Sequence, residues 1–155
     1  MAVGTKWAAA ATDMGYLRIM AMGGVQRDVF CLPGPVVTMA GHRDMLFVVY
    51  HGAQATATQQ ALHYMLYDIE WGMRMVHGEP LSISPASHLQ WCGFSEIGSL
   101  ATVDSRGVVR QRMLGRDYMW TPFGDLATLK TNGTDHHWPI GFTTMEIMTV
   151  ICKGG

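Results

Sequence analysis

Charge is scarce in this chain. Asp, Glu, Lys and Arg make up 15% of its 155 residues, and the net charge is −1. That argues against a strongly basic nucleic-acid platform in this segment. Cysteine is scarce too. Cys31, Cys92 and Cys152 are an odd number with no CxxC pair, which fits a reducing compartment better than a disulfide framework. No apolar run approaches the roughly 18 residues of a membrane span. The Ala-rich start, MAVGTKWAAAAT, has too short an apolar run before Asp13 to make a good leader peptide. GxGxxG, GxxxxGK and HExxH are all missing, so no phosphate-cradling loop or zinc helix is announced and no cofactor is expected. Nor does any stretch hold helical periodicity over the length a helix needs.

What remains is a train of short apolar runs broken by Gly and Pro. Hydrophobic residues are 48% of the chain, enough for a core and too many for disorder. The organising stretch is Val25–His51, VQRDVFCLPGPVVTMAGHRDMLFVVYH. It reads as a strand to Leu32, a rigid step at Pro33-Gly34-Pro35, then strands Val36–Ala40 and Met45–Tyr50 around a Gly41–Asp44 turn. Pro33 and Pro35 cannot donate to a ladder, and Gly34 can take a positive φ, so the step is a junction between sheets. MLFVVY is apolar on both faces and predicts a strand buried on both sides.

In chain order, the first group has Trp7–Ala11, Tyr16–Met22 and Val25–Leu32, with turns at Asp13–Gly15 and Gly23-Gly24. Leu17, Ile19 and Ala21 share one face. The second group is Val36–Ala40, Met45–His51, Ala61–Ile69 and Met73–Val76, closed by an HGEP turn at His77–Pro80; Gly52–Gln60 is loop. The third is Leu89–Phe94, Ser99–Val103, Val108–Met113 and Tyr118–Thr121, the last stopped by Pro122. Asp104-Ser105-Arg106-Gly107 is its central hairpin turn. Phe123–Thr134 reads as loop. His137–Phe142 and Ile147–Cys152 open a fourth group. Groups of about four strands every 40–50 residues or so are the signature of propeller blades, although the Trp-Asp dipeptide of common repeats is absent. A β-sandwich is the alternative.

The run VGTKWAAAATDMGYLRIMAMGGVQRDVFCLPGPVVTMAGHRDMLFVVYH resembles the SepB domain of the eukaryotic replisome adaptors. These form the family of WD-repeat and HMG-box, or acidic nucleoplasmic, DNA-binding proteins. HGEPL, GFSEIG, VDSRGVVR, WTP, DHHWPIG and CKGG follow in the same order. The resemblance implies an all-β fold, with residues 1–155 forming about three and a half blades of a six-bladed propeller. It implies a non-enzymatic nuclear scaffold, homotrimeric at full length, that tethers the replicative helicase to DNA polymerase α–primase. In that family a helical bundle after the propeller receives client peptides. On this reading the present chain is a fragment lacking the bundle, the WD-repeat domain and the HMG box. DNA binding is therefore not expected of this segment, and the partner-binding residues are unknown. An unrelated all-β peptide-binding module is the other reading. An incomplete ring also leads to the expectation that the isolated chain is poorly soluble or associates through strand edges.

Pro33, Gly34, Pro35, Trp91, Phe94, Asp104 and Gly107 stand out as structural residues. No residue stands out as catalytic or metal-binding. Gly93–Gly98 lacks the second glycine of a nucleophile elbow and reads as a turn. Asp135-His136-His137 holds neighbours that point to opposite strand faces, a poor start for a metal site or for a hydrolase using His137 with Asp135. His42, His51, His63, His77 and His88 are scattered. Asn132-Gly133-Thr134 is a sequon whose Asn-Gly is better read as a turn. The 13 methionines, with Met20, Met22 and Met65 in strands, are expected in the core or between blades. Trp71, Trp91, Trp120 and Trp138 are expected between blades too, any exposed one being a candidate partner anchor.

Overall fold

Among the described residues every regular element but one is a strand, and each strand of a sheet runs antiparallel to the one before it. The structure, a computed structural model, describes residues 1–54, 60–113 and 119–153. They fall into two compact units, Met1–Ser82 and the residues from Ile83 onward.

The first unit holds two four-stranded meanders. One comprises β1 (Ala2–Val3), β2 (Trp7–Ala11), β3 (Tyr16–Ala21) and β4 (Gln26–Cys31); the other comprises β5 (Val36–His42), β6 (Met45–His51), β7 (Leu62–Asp68) and β8 (Met73–Pro80). Their facing sides form one core. Trp7, Ala9, Leu17 and Ile19 meet Leu46, Val48, Met65, Tyr67 and Ile69. Alternation explains the choice: Leu17 and Ile19 are sealed while Tyr16 and Arg18, which alternate with them, face water. Each such Leu, Ile or Val contributes roughly 1.5–3 kcal/mol when fully buried. Two polar links cross the same seam. The Trp7 indole donates to the Arg43 carbonyl at 2.7 Å. The Tyr67 hydroxyl donates to Asp28 at 3.3 Å, and burial together with that carboxylate pushes the phenol upward. The central residues of β6, Leu46 to Tyr50, are buried on both sides of the sheet, as MLFVVY implies.

Pro33-Gly34-Pro35 links β4 to β5. The His51 amide donates to the Pro35 carbonyl at 2.9 Å, tying the step to the end of β6. Gly34 is needed for a different reason from the one its type suggests. Its backbone lies outside the left-handed region; instead, a Cβ there would collide with the His51 carbonyl oxygen. A backbone oxygen in a ladder cannot swing away. Gly34→Ala is therefore expected to cost about 2 kcal/mol, an overpacking penalty. For a chain of this length that lowers the melting temperature by about 4–8 °C. A variant that melts with the parent would mean the junction does not press on β6.

The second unit has one meander, β9 (Leu89–Phe94), β10 (Leu100–Asp104), β11 (Val108–Arg112) and β12 (Trp120–Asp125). A 3₁₀ turn at Leu126–Leu129 follows, capped by Asp125. The hairpin β13 (His136–Phe142) with β14 (Ile147–Cys152) completes the unit. Its core joins Ala101, Val103 and Val109 to Leu126 and Phe142, with Trp91, Phe123 and Ile147 packed around them.

Several local readings need correction. His77–Pro80 is no turn: β8 runs through it, with a register shift opposite Tyr64 and Met65 that places Glu79 and Pro80 back in the ladder. Pro122 does not stop β12. It sits opposite Arg110, beside a second register shift, on the last strand of its sheet, where a missing amide costs nothing. Phe123–Thr134 is partly regular, giving the rest of β12 and the 3₁₀ turn. The two-residue β1 has no sequence signal. Met22 lies beyond β3 and is 75% exposed. With Met14, Met73, Met119 and Met145 also exposed, the methionines are not mainly core residues; Met65 is. The loop reading of Gly52–Gln60 and the strand start at Tyr118 lie in part outside the described residues.

Candidate functional site

The densest polar construction lies at the β10–β11 turn. Gly107 takes φ +86°, which its missing side chain permits, and its amide closes the turn on the Asp104 carbonyl at 2.8 Å. Asp104 is buried, yet its carboxylate receives four hydrogen bonds. Oδ1 accepts from the amides of Arg106 (3.0 Å) and Val108 (3.2 Å), a local turn lock open to Asp by virtue of its short side chain. Oδ2 accepts from the Ser84 amide at 2.9 Å and from Arg110 Nη1 at 2.6 Å. Arg110 Nη2 donates in turn to Ser84 Oγ at 3.0 Å. The Ser87 hydroxyl donates to the Ser84 carbonyl at 2.6 Å. Ser105 and His88 exchange two further bonds, which lay 84–88 along the turn.

Burial alone would raise the Asp104 carboxyl. The bonds from Ser84, Arg110 and the Arg106 amide outweigh it and hold the carboxyl below its ordinary range. An ionised carboxylate has about four acceptor positions, and here all are taken. Asp104 is thus a clamp between a turn, a strand and an incoming segment, with no capacity left for proton transfer.

The other residues marked from the sequence are spread out. A Cβ on Gly107 would lie 2.8 Å from the Ala127 amide, so the turn backs onto the 3₁₀ segment. Trp91 packs on the Val103–Phe142 core. Phe94 ends β9, half-buried and paired with Leu100. Pro33, Gly34 and Pro35 lie in the other unit. Asp135 accepts from the Asn132 amide at 3.1 Å, and His137 Nδ1 faces Thr149 Oγ1 at 3.2 Å, so the two are not arranged as an acid–base pair. Within residues 1–155, Trp71 and Trp138 are 77% and 57% exposed. Beside the Asp104 turn lies a cavity of about 270 Å³ rimmed by Arg106, Lys130 and three histidines.

Three antiparallel meanders of four strands, with a hairpin opening the next, define a protein built of β-propeller blades. A solved structure, the crystal structure of HIRA(644–1017), matches with a TM-score of 0.59 over 79% of this chain and 38% of that one. Its 15% identity makes it a likeness of fold alone. The chain belongs to the family described as minichromosome loss protein, Mcl1, middle region, which it matches over residues 1–155. It is 40% identical to WD repeat and HMG-box DNA-binding protein 1 of Mus musculus over 98% of its length. The Homo sapiens protein of that name is 39% identical over the same share. Protein ENHANCER OF LHP1 1 of Arabidopsis thaliana is 32% identical over 99% of the chain. The chain spans 14% of the length of the two animal relatives and 16% of the plant one.

Proposed function

We propose that the chain is the propeller segment of a non-enzymatic scaffold of the DNA replication fork, in a protein that links the replicative helicase to DNA polymerase α–primase in the nucleus. The observation that carries this is the match over residues 1–155 to one family, whose curated animal relatives are named for WD repeats and an HMG box. Residues 1–155 are then one stretch of a SepB-type propeller, and the full-length protein is a homotrimer. The segment contributes folded β-sheet surfaces rather than a reaction centre. Its best-organised carboxylate, Asp104, has every acceptor position filled. DNA contact belongs to other parts of the protein, in keeping with a segment carrying 11 basic and 12 acidic residues.

The test is recovery of the tagged full-length protein from nuclear extracts treated with nuclease. The replicative helicase and polymerase α–primase should come with it, and light scattering of the purified protein should give the mass of a trimer. Recovery of neither complex would overturn the scaffold reading; a monomer would overturn the assembly.

A further inference from the structure

The cavity beside the Asp104 turn gathers cationic and hydrogen-bonding groups from four separate places in the second unit. His88 stands just before β9. Ser105 and Arg106 come from the β10–β11 turn, Lys130 follows the 3₁₀ turn, and His136 and His137 lie on β13. No carboxylate lines it. The nearby acids are already engaged: Asp104 by Arg110, Asp125 by the Ala127 amide and Asp135 by the Asn132 amide. Arg106 and Lys130 have no acidic partner among the described residues. His136 and His137 are neighbours on β13, so one of their two imidazoles faces the concavity and the other the opposite side of the strand. The surrounding backbone is spent as well, since the amides of Ser105, Arg106, Gly107, Leu126 and Ala127 all have acceptors. Recognition here rests on side chains.

We propose that this cavity is a binding site for a phosphoryl group carried on a protein segment. A guanidinium, an ammonium, a hydroxyl and imidazole edges around one concavity supply the donors that a compact dianion needs. The size suits one phosphoryl group with the side chain that bears it. A nucleic acid is the poorer occupant: its backbone calls for a track of cations, and among the described residues the only lysine or arginine side chains lining this cavity are Arg106 and Lys130. The site lies wholly within this unit and is independent of the role in replication.

The test follows the imidazole resonances of His88, His136 and His137 during titration of the protein. The probes are inorganic phosphate, N-acetyl-O-phosphoserine amide, its unphosphorylated counterpart and a DNA duplex. Saturable shifts in the millimolar range are expected with the first two and none with the third. Arg106→Gln with Lys130→Gln should weaken binding by about tenfold or more, in line with the loss of two charge-assisted contacts. Both side chains are exposed, so the melting temperature should not change. Silent histidines at millimolar phosphate would overturn the site, as would a double variant that binds like the parent. DNA shifting the same resonances more strongly than phosphoserine would overturn the choice of a protein-borne group.

Discussion

Replacing Val48 with aspartate is expected to lower the unfolding free energy by about 4 kcal/mol or more, the range reserved for buried unpaired charge. Val48 has no exposed surface. It sits in register between Met39 of β5 and Met65 of β7, and it belongs to the core shared by the two sheets of the first unit. A carboxylate there would meet methionine and aromatic side chains and no donor. It must either hold an uncompensated charge or take up a proton at neutral pH, and both are costly. Domains of this size are stable by only about 5–15 kcal/mol, so much of the margin would go. Val25→Asp is the matched control. Val25 is 68% exposed, and the same change there should stay within about 0.5 kcal/mol. Chemical denaturation of the three proteins decides the matter. If Val48→Asp unfolded with the parent, β6 would not be an interior strand and the sheet-on-sheet core would be wrong.

The second large effect is expected at Asp104. Asp104→Ala leaves the Arg110 guanidinium, whose side chain is only 16% exposed, facing a void. It also strips acceptors from the amides of Ser84, Arg106 and Val108. Removing one partner of such a buried pair costs about 3–5 kcal/mol. The acid dependence gives a sharper signature. The folded carboxyl lies below its ordinary value of 3.8, so the unfolded chain takes up the proton more readily. The stabilisation from this group is complete above the unfolded value. It drains away as pH falls through the lower, folded one. Asp104→Asn removes that proton linkage. Between about pH 6 and pH 2 the parent should therefore lose more stability than the Asn variant. Parallel profiles would show that the Asp104 bonds do not favour its ionised form.

Much of this architecture was legible because the strands are short and their turns carry distinctive residues. Asp104–Gly107 announces its hairpin, and MLFVVY its doubly buried strand. The errors share a cause. Pro80 and Pro122 look like punctuation by residue type, yet each lies in a last strand whose ladder carries a register shift, and only the pairing partner reveals that. The exposure of Trp71 and Trp138 was hidden for a related reason: residue type states what a side chain prefers, not which surface its strand presents. The site was less legible still. The turn lock at Asp104 follows from its own sequence. Ser84, 20 residues away in SISPAS, gives no hint that its amide completes the carboxylate. The cavity groups converge from four segments with no common spacing.

The register shifts along β8 and β12 have a consequence for the newly made chain. A meander grows one strand at a time, and until its last strand is in place the sheet is an open template that any neighbouring polypeptide can extend. In β8 and β12 the strand that closes the template carries a proline and an uneven ladder, which a further strand cannot copy without losing bonds. Each of these sheets thus finishes its own growth. On a crowded polysome, where many copies emerge side by side, that termination favours pairing within a chain over pairing between chains.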